Sequence, residues 1–142
     1  MKKRYQILGF EEMGANQTAR DLFGHLRPGN KVAIVTRFEV ESAAPLVRAL
    51  EARGLTVRVV ANQTGVEDFC FLKSAQKELV GIAKSTFFMW AAFLGNCKTV
   101  RAYKLDSPAI RKKEGENYFR IMNWTHPDLK KRISFEVHKL DS

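Results

Sequence analysis

Cysteine is scarce in this sequence. Cys70 and Cys97 are the only two in 142 residues, too few for a disulfide framework, and nothing in their spacing brings them together. They form no Cys-x-x-Cys pair, and His25, His126 and His138 lack the paired spacing of a zinc site, so no metal or other cofactor is expected. No run approaches the ~20 apolar residues that cross a bilayer. The longest apolar stretch, from Phe87 to Leu94, is the length of a core helix. The N-terminus starts basic, with Lys2, Lys3 and Arg4, but has no apolar core long enough for a signal peptide. A cytoplasmic chain with reduced thiols is the resulting expectation. Gly-x-Gly-x-x-Gly and Walker-type loops are missing too, as are internal repeats and low-complexity tracts. Composition leaves no room for collagen-like repeats, coiled coil or general disorder.

What is present is an ordinary globular mixture, 45% apolar and 27% charged. The length fits one domain, able to bury about two thirds of its unfolded surface without a staple. Charge is the departure: 24 Lys and Arg against 15 Asp and Glu give +9. A basic surface of this kind attracts polyanions, among them nucleic acid, anionic lipid and phosphorylated small molecules.

The local patterns alternate strand and helix. Arg27-Pro28-Gly29-Asn30 is a turn leading into Lys31–Phe38, an apolar β-branched run read as a buried strand. Ala43–Arg53 puts Leu46, Val47 and Leu50 on one helical face, with a cap at Ser42 or Ala44, Pro45 in the first turn and Gly54 ending it. Leu55–Val60 is a second strand, so the spacing implies a parallel pair with a helical crossover. The pattern continues as helix Val66–Ser74, strand Glu78–Ala83, helix Thr86–Leu94 and strand Thr99–Tyr103. One more amphipathic helix, Gln17–Leu26, precedes the first strand. Asp106–Glu116 reads as an exposed loop with a short helical stretch. Phe119–Trp124 and Ile133–His138 alternate weakly, as strands or as an excursion packed on the sheet. The expected architecture is a single three-layer α/β domain, doubly wound around one mainly parallel sheet. A basic, irregular extension over residues 104–142 packs on it. The helix Thr86–Leu94 is apolar nearly all round, which predicts burial of Phe87 and Trp90 in the core.

In open parallel sheets ligands gather at the carboxyl ends of the strands. Three such ends carry polar residues: Thr36–Ser42, Asn62–Gly65, and Ala83-Lys84-Ser85-Thr86, which opens directly into a helix. Lys84, Ser85 and Thr86 offer an anion a positive charge, two hydroxyl donors and a helix start. Ser85 as a plain N-cap accounts for the same residue, and the two roles are compatible.

Lys84-Ser85-Thr86-Phe87-Phe88-Met89-Trp90-Ala91-Ala92-Phe93-Leu94-Gly95 resembles the Ser-Thr-Phe-x-x-Trp-Ala-Ala signature of the α-1,2-fucosyltransferases, glycosyltransferases of the GT-B class. Glu67–Ser74 and Leu79–Ala83 fit the helix and strand that precede this signature in the family. Val35-Thr36-Arg37-Phe38-Glu39 keeps the Arg of a His-x-Arg-x-x-Asp motif without its His or its Asp spacing. The resemblance covers about Lys31 to Tyr103, one Rossmann-like half of a two-domain enzyme. It implies a site for a nucleoside-diphosphate sugar, a GDP-sugar first, and inverting, metal-independent fucosyl transfer. On that reading Arg37 faces the pyrophosphate and Lys84, Ser85 and Thr86 bind phosphate oxygens. Glu67 and Asp68 lie near the nucleoside, and Glu39 or Glu41 is the only nearby candidate for general base. Arg37 paired with Glu39 or Glu41 as a strand-end ion pair is the plainer account. The missing half would come from a second copy or a partner subunit, unless the domain binds without turning over.

A reading from another class is a non-enzymatic basic protein. Arg111-Lys112-Lys113 and Lys130-Lys131-Arg132 flank Tyr118, Phe119 and Trp124, and basic residues interleaved with aromatics can engage nucleic acid or a protein partner. A solvated charged loop explains the same residues.

Overall fold

A computed structural model of the chain describes residues 13–36, 39–115 and 127–141. The chain divides into two compact units, one running to Gly65 and including Asp141, the other from Val66 to Leu140.

The first unit contains α1 (Ala15–Phe23), β1 (Lys31–Val35), a 3-10 turn (Val40–Ala43), α2 (Ala44–Glu51) and β2 (Thr56–Val60). β1 and β2 pair in parallel, Lys31 opposite Thr56 and Val35 opposite Val60. Ala19, Leu46, Leu50 and Leu55 form the core, with Val32, Ile34 and Val57 packed against it. Period-two alternation thus sends one face of each strand to α1 and α2. The other face carries Lys31, Ala33, Thr56 and Arg58, all exposed. β1 is therefore half-buried rather than the fully buried strand its composition suggests, because Lys31 and Ala33 alternate with Val32 and Ile34. Ser42 caps no α-helix: its hydroxyl donates to Glu39 O at 2.7 Å, closing the 3-10 turn, and α2 starts after Ala43. Gly54 takes φ +84°, and a Cβ there would stand 2.9 Å from Pro28 Cβ. Its position needs glycine on both counts.

The second unit contains α3 (Gly65–Lys73, its first residue from the other unit), β3 (Glu78–Ile82), α4 (Thr86–Leu94), β4 (Thr99–Asp106), α5 (Pro108–Glu114), α6 (Pro127–Arg132) and β5 (Ile133–Lys139). The strands lie in the order β3-β4-β5, all parallel. Leu79, Ala83, Phe88, Met89, Ala92, Cys97, Val100, Ala102 and Ile133 make one cluster, with Leu72 of α3 against it. α4 lies so close to β3 that a Cβ on Gly81 would fall inside the Phe88 ring.

The architecture is α/β with parallel strands in open sheets and helices, as a Rossmann-like fold requires. Two expectations change. The strands form two ladders instead of one sheet: α2 and α4 each join a strand to its own neighbour, while the β2–α3–β3 connection pairs no strands. The irregular extension is also too pessimistic a description of residues 133–139. β5 is a regular seven-residue strand registered along β4 from Val100–Ile133 to Asp106–Lys139, held by the burial of Ile133. Phe119–Trp124 lies outside the described residues.

Trp90 is not in the core. It is 49% exposed, with Phe93 at 37% and Leu94 at 50%, while Met89, Ala91 and Ala92 are fully buried. Phe87 is half-buried, edge-on to Phe69 with ring centroids 5.6 Å apart. At 100° per residue, Thr86, Trp90, Phe93 and Leu94 share one arc of α4 and Phe88, Met89, Ala91 and Ala92 the opposite arc. Only the second arc meets the sheet.

The second unit's other sheet face holds a polar network beside Val80, Ile82 and the buried Leu105. Arg101 donates to both oxygens of Glu136, at 2.6 and 2.9 Å, and to Glu78 at 3.2 Å. His138 Nε2 lies 2.8 Å from Glu136, and Tyr103 meets the His138 ring edge-on. One guanidinium thus ties all three strands, in the bidentate geometry that only Arg supplies. That hydrogen bond holds the Glu136 carboxyl below its ordinary value; His138 adds to the effect and burial opposes it.

Candidate functional site

The site sits at the carboxyl ends of β3 and β4, in the second unit. β3 stops at Ile82, opposite Tyr103, and Ala83 N–H donates to Tyr103 O at 2.7 Å. β4 runs three residues further, so Lys104 and Asp106 project beyond β3. Ala102 faces the core, and alternation puts Lys104 and Asp106 on that same face, the one α4 covers. The start of α4 and the end of β4 therefore share a corner.

Ser85 is the N-cap of α4. Its backbone is extended, at φ −82° and ψ 108°, and its hydroxyl oxygen accepts from Phe88 N–H at 3.3 Å. Its O–H remains a donor in its own right, so capping leaves it competent to bind an anion. Thr86 is exposed at the first helical position, and the nine-residue helix directs its partial positive charge here. Lys84 Nζ pairs with Glu114 at 2.7 Å. Burial holds the Lys104 amine below its ordinary value, with Lys84 and Arg111 pushing the same way and Glu114 and Asp106 opposing. An anion bound beside this amine would favour its charged form. Arg111 forks onto Asp106 at 2.7 and 2.9 Å, which anchors the start of α5, itself capped by Ser107. The corner thus brings Lys84, Ser85 and Thr86 together with Lys104. Lys104 escaped the sequence reading, although its alternation with Val100 and Ala102 carried the signal.

The other expected site residues fall elsewhere. Arg37 lies outside the described residues. Glu39 and Glu41 are exposed around the 3-10 turn of the first unit. In the first turn of α3, Glu67 is exposed and Asp68 is 1% exposed. A carboxylate in a first helical turn is favoured by the helix dipole, a structural account of Asp68. Before α3, Asn62 adopts φ 61°, and Gln63 Oε1 is buried without a hydrogen-bond partner among the described residues. Cys70 is exposed and Cys97 buried, neither in a disulfide.

No family model, curated protein or solved structure matches this chain. Among the described residues no helix is long and apolar enough to cross a membrane.

Proposed function

We propose that this chain is a glycosyltransferase-like domain of the GT-B class that binds a nucleoside-diphosphate sugar, a GDP-sugar first, through its diphosphate. The observation that carries the proposal is the corner where Ser85 caps α4 beside Lys84 and the half-buried Lys104. It is the kind of place where open parallel sheets bind phosphates, supplied with hydroxyl and ammonium donors. The resemblance of Lys84–Gly95 to the α-1,2-fucosyltransferase signature supports the sugar nucleotide over a bare phosphate. On this reading Lys84 leaves Glu114 for a phosphate oxygen, Thr86 and Ser85 donate their hydroxyls, and Lys104 balances the second phosphate. Such donors stabilise a departing diphosphate electrostatically. For Arg37, Glu39 and Glu41 as diphosphate and general-base residues, and for Glu67 and Asp68 near the nucleoside, the resemblance alone is the support, and the corner does not depend on them. Each is tested by its own alanine variant.

The test is a thermal-shift screen over GDP-, UDP- and ADP-sugars and the free diphosphates. A ligand present at 100 times its Kd raises stability by about 2.7 kcal/mol, a shift of several degrees for a chain of this length. The expected result is a shift with GDP-sugars that disappears in Lys104→Ala and Lys84→Ala.

A further inference from the structure

We propose that the opposite end of α4 is a docking surface for an anionic lipid bilayer. This goes beyond the sugar-nucleotide reading and does not rest on it.

Trp90, Phe93 and Leu94 form the exposed arc of α4 at its C-terminal half, and the Trp90 and Phe93 rings stack edge-to-face at 5.5 Å. Five exposed lysines lie on the segments around that end. A Cβ on Gly95, just after the helix, would meet Lys73 O at 2.6 Å. Lys98 N–H donates to Gln76 O and Thr99 N–H to Lys77 O, at 2.9 and 3.2 Å, which brings the Lys77 and Lys98 segments together. The Arg132 guanidinium donates to Cys97 O at 3.0 Å, to Ala92 O at 3.4 Å and to Phe93 O at 3.5 Å. Arg132 thereby caps the last carbonyls of α4, and Lys130 and Lys131 precede it directly in α6.

An aromatic and aliphatic cluster bordered by lysines has the chemistry of a membrane interface. Trp and Phe insert at headgroup level while ammonium groups reach anionic lipid. Charge complementarity selects this occupant. Lysine is depleted in protein–protein interfaces, and the aliphatic Leu94 beside the two rings suits the acyl boundary of a bilayer. Near an anionic surface each lysine is worth roughly a fivefold gain in partitioning. The surface would hold the chain at a membrane without any segment crossing it.

Vesicles of phosphatidylcholine alone, and of phosphatidylcholine with 30% phosphatidylserine, are the probes. The protein should sediment with the second at low salt and much less with the first. Phe93→Ser with Leu94→Gln alters only exposed side chains and should reduce partitioning at least tenfold. Lys98→Glu with Lys130→Glu and Lys131→Glu should abolish it. Tryptophan emission should shift to the blue on binding, and Trp90→Phe, which leaves Trp124, should remove that shift. The proposal is overturned by equal partitioning to both vesicles or by none. It is also overturned if the Phe93/Leu94 variant stays bound, or if that variant instead dissolves a dimer seen by sedimentation equilibrium.

Discussion

The two arcs of α4 are equally apolar and have opposite fates. Phe88, Met89, Ala91 and Ala92 are buried against β3 and β4, while Trp90, Phe93 and Leu94 reach solvent. The two ends differ as well. The start carries Ser85, Thr86, Lys84 and Lys104 at the carboxyl edge of the sheet; the finish carries an aromatic cluster among lysines. Hydrophobicity along a helix reports what could be buried, and the partner surface decides what is. In the second unit the cluster on α3, α4 and the sheet takes in Phe88, Met89 and Ala92 of the helix, and Trp90, Phe93 and Leu94 stay outside it.

Substitutions in the two arcs sharpen this contrast most. Met89→Ala, at a fully buried site, should cost about 2–5 kcal/mol in denaturant unfolding. Trp90→Ala, a larger truncation one residue away, should cost clearly less, about 1 kcal/mol, chiefly the lost ring pair with Phe93. Similar losses at both positions would break the comparison.

The next effect concerns the sheet's other face. Glu136→Gln removes the carboxylate that Arg101 grips and should cost roughly 1.5–3 kcal/mol. The Glu136 carboxyl is held below its ordinary value of 4.5 when folded. Its contribution is therefore full above that value and is lost as pH falls through the folded pKa. Chemical unfolding between about pH 6 and pH 3 should show an acid decline that is shallower in Glu136→Gln. An unchanged slope would mean Glu136 is not the group concerned.

Smaller again is the cap. Ser85→Ala should cost about 1 kcal/mol, and Ser85→Gly only a few tenths. Because capping and anion binding share that hydroxyl, the glycine variant separates them: near-normal stability should accompany weaker binding.

Much of this molecule is legible in its sequence where local signals and tertiary packing agree. The boundaries of α4 at Thr86 and Leu94 follow from Ser85 before it and Gly95 after it. β1 and β2 follow from β-branched runs around an amphipathic α2, and Gly54 from its turn. The exposure of Trp90 was not legible, since an all-apolar helix has no polar arc to mark the solvent side. In β5 the alternation of Ser134, Glu136 and His138 with apolar residues marked a strand, but not its place beside β4. Glu136 and His138 belong to a network whose partners, Arg101 and Glu78, are remote in sequence. The pairing of Lys84 with Glu114 across 30 residues is a tertiary fact of the same kind. The corner at Ser85 was visible as a strand-to-helix junction; alternation gave the face of Lys104, and only the register of β4 against β3 put it beyond the end of β3.

The central claim is that this corner binds the diphosphate of a sugar nucleotide, and titration calorimetry with a GDP-sugar tests it most directly. The wild-type chain should give a saturable heat that Lys104→Ala loses while keeping its unfolding midpoint. No binding of any GDP-, UDP- or ADP-sugar at millimolar concentration, or binding untouched by Lys104→Ala and Lys84→Ala, would contradict the account.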